Sequence, residues 1–286
     1  MNLTSPSQVK AWCIEHDFHP NKVLGQNFLI DQNALKAIVD AGLENVRMSE
    51  CSDARECPHV LEIGPGLGVL TEEMLKRGCR VTAIEKDPVL AARLAESLGN
   101  PEGLSVVSAD ALDWIAQNYQ TSQTSQTSQT LQTLQTFSCM ISNLPYQAGT
   151  RILLELVKAR QLKSMTVLVQ TEVAERLAAG PGSKTRGLAG VWAQLDYDVK
   201  IVRKVAASCF WPRPEIGSSV VRLDRHDRNV GLSGEERDLF HRLTKQAFEH
   251  RRKQLGSIFK DLIQSTARAE ELGNEDWIQL VKGLIG

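Results

Sequence analysis

Apolar residues in the first two thirds of the chain fall into short runs with amphipathic stretches between them. Val60-Leu61-Glu62-Ile63, Val81-Thr82-Ala83-Ile84, Leu104-Ser105-Val106-Val107, Ser138-Cys139-Met140-Ile141-Ser142 and Met165-Thr166-Val167-Leu168-Val169-Gln170 are each mostly apolar with little alternation. Such runs predict strands of a parallel sheet, which is covered on both faces. The stretches between them carry helical spacing: Leu70, Met74 and Leu75 within Val69 to Lys76, and Leu90, Leu94 and Leu98 after Pro88. Ala111 to Ala116 and Thr150 to Arg160 read the same way. Strand and helix in alternation predict an α/β fold.

Val199 to Val205 alternates apolar and basic residues, as a half-exposed strand does, and Ser218 to Leu223 is a last strand, making seven. Phe210-Trp211-Pro212-Arg213-Pro214 between them reads as a stiff loop. Residues 5–17 predict a short helix with Trp12 and Ile14 apolar. Val173 to Ala179 predicts another, stopped by Gly180-Pro181-Gly182 and followed by a donor-rich loop, Ser183 to Gly187. Beyond about Arg228 only helical patterns remain: Leu239, Leu243, Ala247 and Phe248, then Leu255, Ile258, Phe259 and Leu262, then Trp277, Ile278, Leu280 and Val281. The expected division is a sheet domain over 1–227 and a small helical domain over 228–286. Met48 to Pro58 is polar and predicts a loop. Gln120 to Thr136 repeats Gln-Thr-Ser and then Gln-Thr-Leu, buries little, and predicts a mobile insertion on the side of the sheet away from the chemistry.

Composition narrows the picture only slightly. A chain of 286 residues with 42% hydrophobic content can build a sizeable core. No apolar run has membrane-spanning length, and Met1 to Lys10 lacks the apolar stretch of a signal peptide, so a soluble cytoplasmic protein is expected. The net charge of −1 does not announce a nucleic-acid partner, although Arg251-Arg252-Lys253 is a local basic patch. The six cysteines are scattered. Cys51, Cys57 and His59 lie close together but at no standard zinc spacing, so free thiols and no metal are expected.

The candidate chemistry sits at the ends of the predicted strands. Gly64, Gly66 and Gly68 follow the first run and open a helix, where a backbone can turn tightly and present free N–H groups to a ligand. Glu85 closes the second run, about 20 residues on, where a carboxylate accepts hydrogen bonds from ribose hydroxyls. A dinucleotide site wants G-x-G-x-x-G, but Val69 stands at the third position. The G-x-G-x-G form favours S-adenosylmethionine over other nucleotides or a merely structural turn. Asp110, past the third run, suits an adenine amino group or a helix N-cap, and the two roles are compatible. The polar amides beside Phe28 and Leu29 read either as a packed arm or as a lid. Asn143-Leu144-Pro145-Tyr146 follows the fourth run. The Asn143 side-chain oxygen and the Leu144 carbonyl suit the two hydrogens of an exocyclic amine, Pro145 fixes the turn, and Tyr146 offers a stacking face. The bland alternative is a helix cap with a core tyrosine. Beside a methyl-donor turn, amine methylation is the stronger reading.

With these motifs in view, the chain resembles the ribosomal RNA adenine dimethyltransferases, specifically those acting on the small subunit. The resemblance covers nearly all of 20–265 apart from the insertion. It rests on Gly25-Gln26-Asn27-Phe28-Leu29, Glu62-Ile63-Gly64-Pro65-Gly66, Asn143 to Tyr146, Gln170 with Glu172 to Arg176, Phe210 to Val221, and Ala247-Phe248 with Arg251-Arg252-Lys253. It implies a Rossmann-like sheet with a C-terminal helical domain, and S-adenosyl-L-methionine as cofactor with S-adenosyl-L-homocysteine as product. Gln26, Asn27, Leu29, Gly64, Gly66, Glu85, Asp110, Ala111 and Asn143 would contact that cofactor. Asn143, Leu144, Pro145 and Tyr146 would carry catalysis. Tyr146, Phe210, Arg251, Arg252 and Lys253 would meet the substrate, with Arg203, Lys204, Arg222 and Arg225 adding phosphate contacts. The implied partner is the assembled small ribosomal subunit and its RNA, bound by a monomer. The chain departs from the family at Gln147-Ala148-Gly149, at Arg186 where an aromatic is usual, and at Glu215 and Gly217. Competing readings are a large-subunit adenine methyltransferase (more often Asn-Ile-Pro-Tyr), a DNA adenine methyltransferase (usually Asp-Pro-Pro-Tyr), and an assembly or transcription factor on the same fold.

Overall fold

Consecutive residues of each apolar run separate onto opposite faces of one sheet. The computed structural model describes residues 1–21, 24–46, 57–123, 137–260 and 262–285. In chain order the strands are β1 (Phe28–Leu29), β2 (His59–Ile63), β3 (Arg80–Glu85), β4 (Leu104–Ser108), β5 (Cys139–Asn143), β6 (Ser164–Gln170), β7 (Tyr197–Val205), β8 (Phe210–Trp211) and β9 (Ser218–Arg225). The helices are α1 (Pro6–Glu15), α2 (Gln32–Leu43), α3 (Val69–Lys76), α4 (Pro88–Ser97), α5 (Ala111–Gln123), α6 (Gly149–Ala159), α7 (Thr171–Ala178), α8 (Leu188–Asp196), α9 (Gly234–Glu249), α10 (Leu255–Phe259) and α11 (Asn274–Ile285). The main sheet has seven strands in the order β4-β3-β2-β5-β6-β9-β7. The pairs from β4 to β6 are parallel, and β9 is antiparallel to both of its neighbours.

Val60, Val81, Ala83, Cys139 and Ile141 face a core layer with α1 to α4. Leu61, Ile63, Ile84, Met140, Met165 and Val167 face the layer of α5, α6 and α7. The two-residue period of a strand thus feeds both layers from near-continuous apolar runs. Strand order reverses between β2 and β5, which opens a crevice at their carboxyl ends.

Two elements differ from expectation. Phe210 and Trp211 form β8, which pairs antiparallel with β1, so the loop and the N-terminal arm make a second small sheet. Helix α8 was not expected. Its sequence has no polar stripe because it is used on two sides: Ala193 packs against the sheet layer, while Val191 and Leu195 join a third core with α9, α10 and α11. The helical segment therefore shares a core with α8, upstream of residue 228. Arg186 helps hold that join. It is 1% exposed and donates to the Ala179 carbonyl at 2.8 Å, Gln194 Oε1 at 3.0 Å and Asn274 Oδ1 at 3.2 Å. Burial pushes its guanidinium pKa down. Helix α9 is opened by a capping box, Ser233 with Glu236. The expected insertion at 120–136 and the loop at 48–58 fall largely outside the described residues. Among those residues no helix is long and apolar enough to cross a membrane.

Gly190 marks the tightest helix contact. A Cβ there would lie 2.3 Å from the Arg176 carbonyl oxygen of α7. Gly190→Ala is expected to lower stability by about 1–3 kcal/mol through forced separation of α7 and α8. Denaturant unfolding with an unchanged midpoint would show that this approach is not needed.

Candidate active site

The turn from β2 into α3 is made by three glycines in left-handed conformation, with φ of +68° at Gly64, +59° at Gly66 and +89° at Gly68. A side chain is strained at such angles. Space is tight as well: a Cβ on Gly66 would come within 3.1 Å of the Phe28 ring, and one on Gly68 within 2.6 Å of the Leu94 side chain, so each neighbour would have to shift. The backbone thus passes close beneath the arm that carries Phe28. A cavity of about 540 Å³ opens above this turn, at the carboxyl ends of β2, β3 and β5.

The residues that the resemblance implied for the cofactor all line this cavity, as do Asn143, Leu144, Pro145 and Tyr146. Their mutual bonds explain the arrangement. Asn27 comes from the arm, and its backbone carbonyl accepts from Asn143 Nδ2 at 3.1 Å. Gly25, at φ +66°, lets the arm approach the tetrapeptide, where a Cβ would sit 3.0 Å from the Tyr146 nitrogen. Gln26 Nε2 donates to Asp87 Oδ2 at 2.8 Å, tying the arm to the cap of α4. The arm is therefore a wall of the cavity. Leu3, which no sequence signal marked, is a buried part of the same lining.

Three carboxylates face the cavity in different states. Glu85 is 6% exposed and accepts from the Gly66 nitrogen at 3.1 Å and the Asp87 nitrogen at 2.8 Å. Burial raises its pKa, and these backbone donors work against the rise. Asp110 accepts from the Leu112 nitrogen at 2.8 Å and pairs with Lys86 at 2.7 Å. The Lys86 contact holds it below the ordinary carboxylate range. Its cap role and its place in the cavity wall hold together. Glu62, inside β2, is 1% exposed with Thr71 Oγ1 2.6 Å away. Burial pushes its pKa up to about 8 despite that contact.

The tetrapeptide is held from both sides. The Leu144 nitrogen donates to the Leu168 carbonyl at 3.1 Å, and the Pro145 carbonyl accepts from the Gly149 nitrogen at 2.7 Å, starting α6. The Tyr146 hydroxyl lies 2.6 Å from Ser218 Oγ, which orients its ring. Because the Asn27 carbonyl can only accept, the Asn143 amide must present its NH₂ to it. Oδ1 is left as the acceptor on the other side.

Other expected contacts lie elsewhere. Phe210 is 2% exposed and packs in the α1–α4 core, outside the cavity lining. Arg222 is a correction. It is 4% exposed and saturated by the Ala41 and Glu44 carbonyls and by Asp224 at 2.7 and 2.8 Å, so it is not free to meet phosphate. Arg251 donates to the Lys184 carbonyl at 2.6 Å and lies 3.5 Å from Glu270, while Arg252 and Lys253 are exposed. Arg203, Lys204 and Arg225 are also exposed. Cys51 lies outside the described residues. Among those described, no group of three or more His, Cys, Asp or Glu could hold a metal ion.

Sheet order, glycine turn and the acidic residue at the end of β3 define a Rossmann-like methyltransferase fold, and solved structures agree. A dimethyladenosine transferase from Plasmodium falciparum matches with a TM-score of 0.66 at 22% identity, over 88% of this chain and 95% of that one. The 23S rRNA methyltransferase ErmE matches with 0.64 at 22% identity, over 91% and 100%. The particular family follows from sequence. The ribosomal RNA adenine dimethylase model matches residues 17–278, and the chain belongs to that family. Among its relatives, a ribosomal RNA small subunit methyltransferase A of Deinococcus radiodurans is 43% identical over 78% of this chain and 67% of its own length. One from Alkaliphilus oremlandii is 36% identical over 88% and 82%.

Glu62 gives the site a pH signature. Its folded pKa of about 8 lies above the unfolded carboxylate value. The protonated form therefore contributes stability that is full below the unfolded pKa and is lost as pH rises through about 8. Glu62→Gln should remove this loss, so the melting temperature of the variant gains on the native protein between pH 5 and 9. A difference independent of pH would rule out a protonated Glu62.

Proposed function

We propose that this enzyme transfers methyl groups from S-adenosyl-L-methionine to the N6 amines of two adjacent adenosines near the 3′ end of small-subunit ribosomal RNA, acting on the assembled subunit. The observation that carries the reading is the Asn143 amide in the cavity lining, its NH₂ anchored by the Asn27 carbonyl so that its oxygen is left as an acceptor. S-adenosyl-L-methionine would supply an electrophilic methyl on a sulfonium and leave as S-adenosyl-L-homocysteine. The cavity suits that molecule. Its glycine floor lets backbone approach a ligand, Glu85 keeps lone pairs beyond its two backbone donors, and Asp110 stays ionised beside Ala111. Gln26, Asn27, Leu29, Gly64, Gly66 and Asn143 would line the rest.

An adenine amine is a poor nucleophile because its lone pair is delocalised into the ring. In this proposal the Asn143 oxygen and the Leu144 carbonyl each accept one amine hydrogen. That turns the nitrogen lone pair out of conjugation and toward the donor side. Pro145 fixes both acceptors in one turn. Tyr146 stacks on the extruded base, worth about 1–3 kcal/mol. Its hydroxyl is held by Ser218, and burial raises its pKa, so it acts here as a ring rather than a base. The amine loses its proton only after becoming cationic, so the site requires alignment and electrostatics rather than a strong base. Phe210 would have to leave its packed position to reach a base, so it ranks below Tyr146 as a contact.

The helical segment 228–286 would grip the subunit through Arg252 and Lys253, with Arg251 divided between that task and Glu270. The protein would work as a cytoplasmic monomer. Family membership and the small-subunit relatives favour this reading over large-subunit or DNA methylation. The intact tetrapeptide favours catalysis over a purely assembly role.

Undermethylated small subunits incubated with labelled donor should yield dimethyladenosine at two adjacent positions, mapped by mass. Label only in large-subunit RNA, or binding without transfer, would overturn the reading. Asn143→Ala is expected to lower kcat by about 10²–10³, measured in single turnover, and undiminished turnover would remove the clamp from the mechanism. Reversing the charges of Arg251, Arg252 and Lys253 together should weaken subunit binding and flatten its salt dependence while cofactor affinity holds. Equal subunit affinity across a salt series would take the triplet out of the interface.

A further inference from the structure

Arg151 is the cation in the cavity lining that has no carboxylate. Of the two basic side chains there, Lys86 is paired with Asp110 at 2.7 Å. Arg151 is exposed and has no hydrogen-bond or ion-pair partner among the described residues. Its natural helical partner is taken: Glu155, one turn along α6, is held by Lys158 at 3.0 Å. Helix stability does not account for an arginine here. The position is in the first turn of α6, where the macrodipole favours an acid, and that turn contains none. The residue next to it, Ile152, is buried, so the turn points one side chain into the core and the other toward the cavity mouth.

The segment also adjoins the tetrapeptide proposed to clamp the base. Tyr146 and Arg151 are joined by the short segment Gln147-Ala148-Gly149-Thr150. The Gly149 nitrogen bonded to the Pro145 carbonyl fixes the end of the tetrapeptide to the start of α6, so both side chains ride on one rigid turn.

We propose that Arg151 is a substrate-positioning residue that binds an RNA phosphate flanking the extruded adenosine. This rests on the methylation reading above and assigns one contact within it. A base inserted beside Tyr146 leaves its flanking phosphates at the mouth of the cavity, on the solvent side, where the free guanidinium stands. Arginine suits the task because its planar fork meets phosphate oxygens in pairs.

The test compares the native protein with Arg151→Gln and Arg151→Lys on undermethylated small subunits, with cofactor affinity measured separately by calorimetry with S-adenosyl-L-homocysteine. Arg151→Gln should raise the KM for subunits about tenfold with a smaller effect on kcat. It should also reduce the slope of log affinity against log salt by about 0.7, the value for one contact to a single strand. Arg151→Lys should keep the slope and recover part of the KM, which a merely structural role would not produce. Affinity for S-adenosyl-L-homocysteine should not change. Weakened cofactor binding with an unchanged subunit KM would place the guanidinium on the cofactor's carboxylate and overturn the proposal. An unchanged KM and salt slope would overturn it too, while leaving the methylation reading intact. A native protein that engages no small subunit would sink both.

Discussion

One hydrogen bond decides which end of the Asn143 amide is left free at the end of β5. The Asn143 side-chain nitrogen donates to the Asn27 carbonyl, joining the end of β5 to the N-terminal arm. A primary amide has two unlike ends of nearly equal size, and only a fixed partner chooses between them. The backbone carbonyl, which can only accept, takes the NH₂ and leaves the oxygen as the acceptor. The left-handed Gly25, the bond from Gln26 to Asp87, and the β1–β8 pairing all serve to keep that carbonyl in place. In this sense the arm is part of the catalytic proposal although it carries no chemistry of its own.

The same economy governs charge. Three carboxylates line one cavity, and their environments separate their states. Lys86 holds the Asp110 pKa down, Glu85 is held by backbone donors at the cost of burial, and burial inside the sheet pushes Glu62 toward its neutral form. Three full negative charges so close together would repel one another. A neutral Glu62 also removes one like charge from beside Glu85.

The helical segment is attached through a shared core rather than a linker. Helix α8 packs on the sheet with one side and on α9 to α11 with the other, and Arg186 bridges α7, α8 and the start of α11. A guanidinium with no acid and only carbonyl-type acceptors has its hydrogen bonds at the cost of desolvation. That cost is tolerable where the alternative is a looser join between the sheet and the surface expected to hold RNA.

The sequence by itself determined the strands of the main sheet, the parallel pairing of β2 to β6, the glycine turn, and which polar residues stand at the strand ends. These are local properties: apolar runs, backbone angles that only glycine adopts freely, and functional groups next to them in the chain. It also determined the family, because the motifs are specific. Tertiary structure alone decided the rest. Arg222 reads as a phosphate ligand beside Arg203 and Arg225, yet its strand turns it inward onto the Ala41 and Glu44 carbonyls. Phe210 reads as a substrate contact, yet pairing with β1 buries it. Helix α8 was illegible because a segment buried on two sides shows no stripe. Leu3 and the Asn27–Asn143 bond left no mark in the sequence, since the residues they bring together are far apart in the chain and nothing local specifies the meeting. Periodicity reports which face of an element is buried, but it is silent on what that face is buried against.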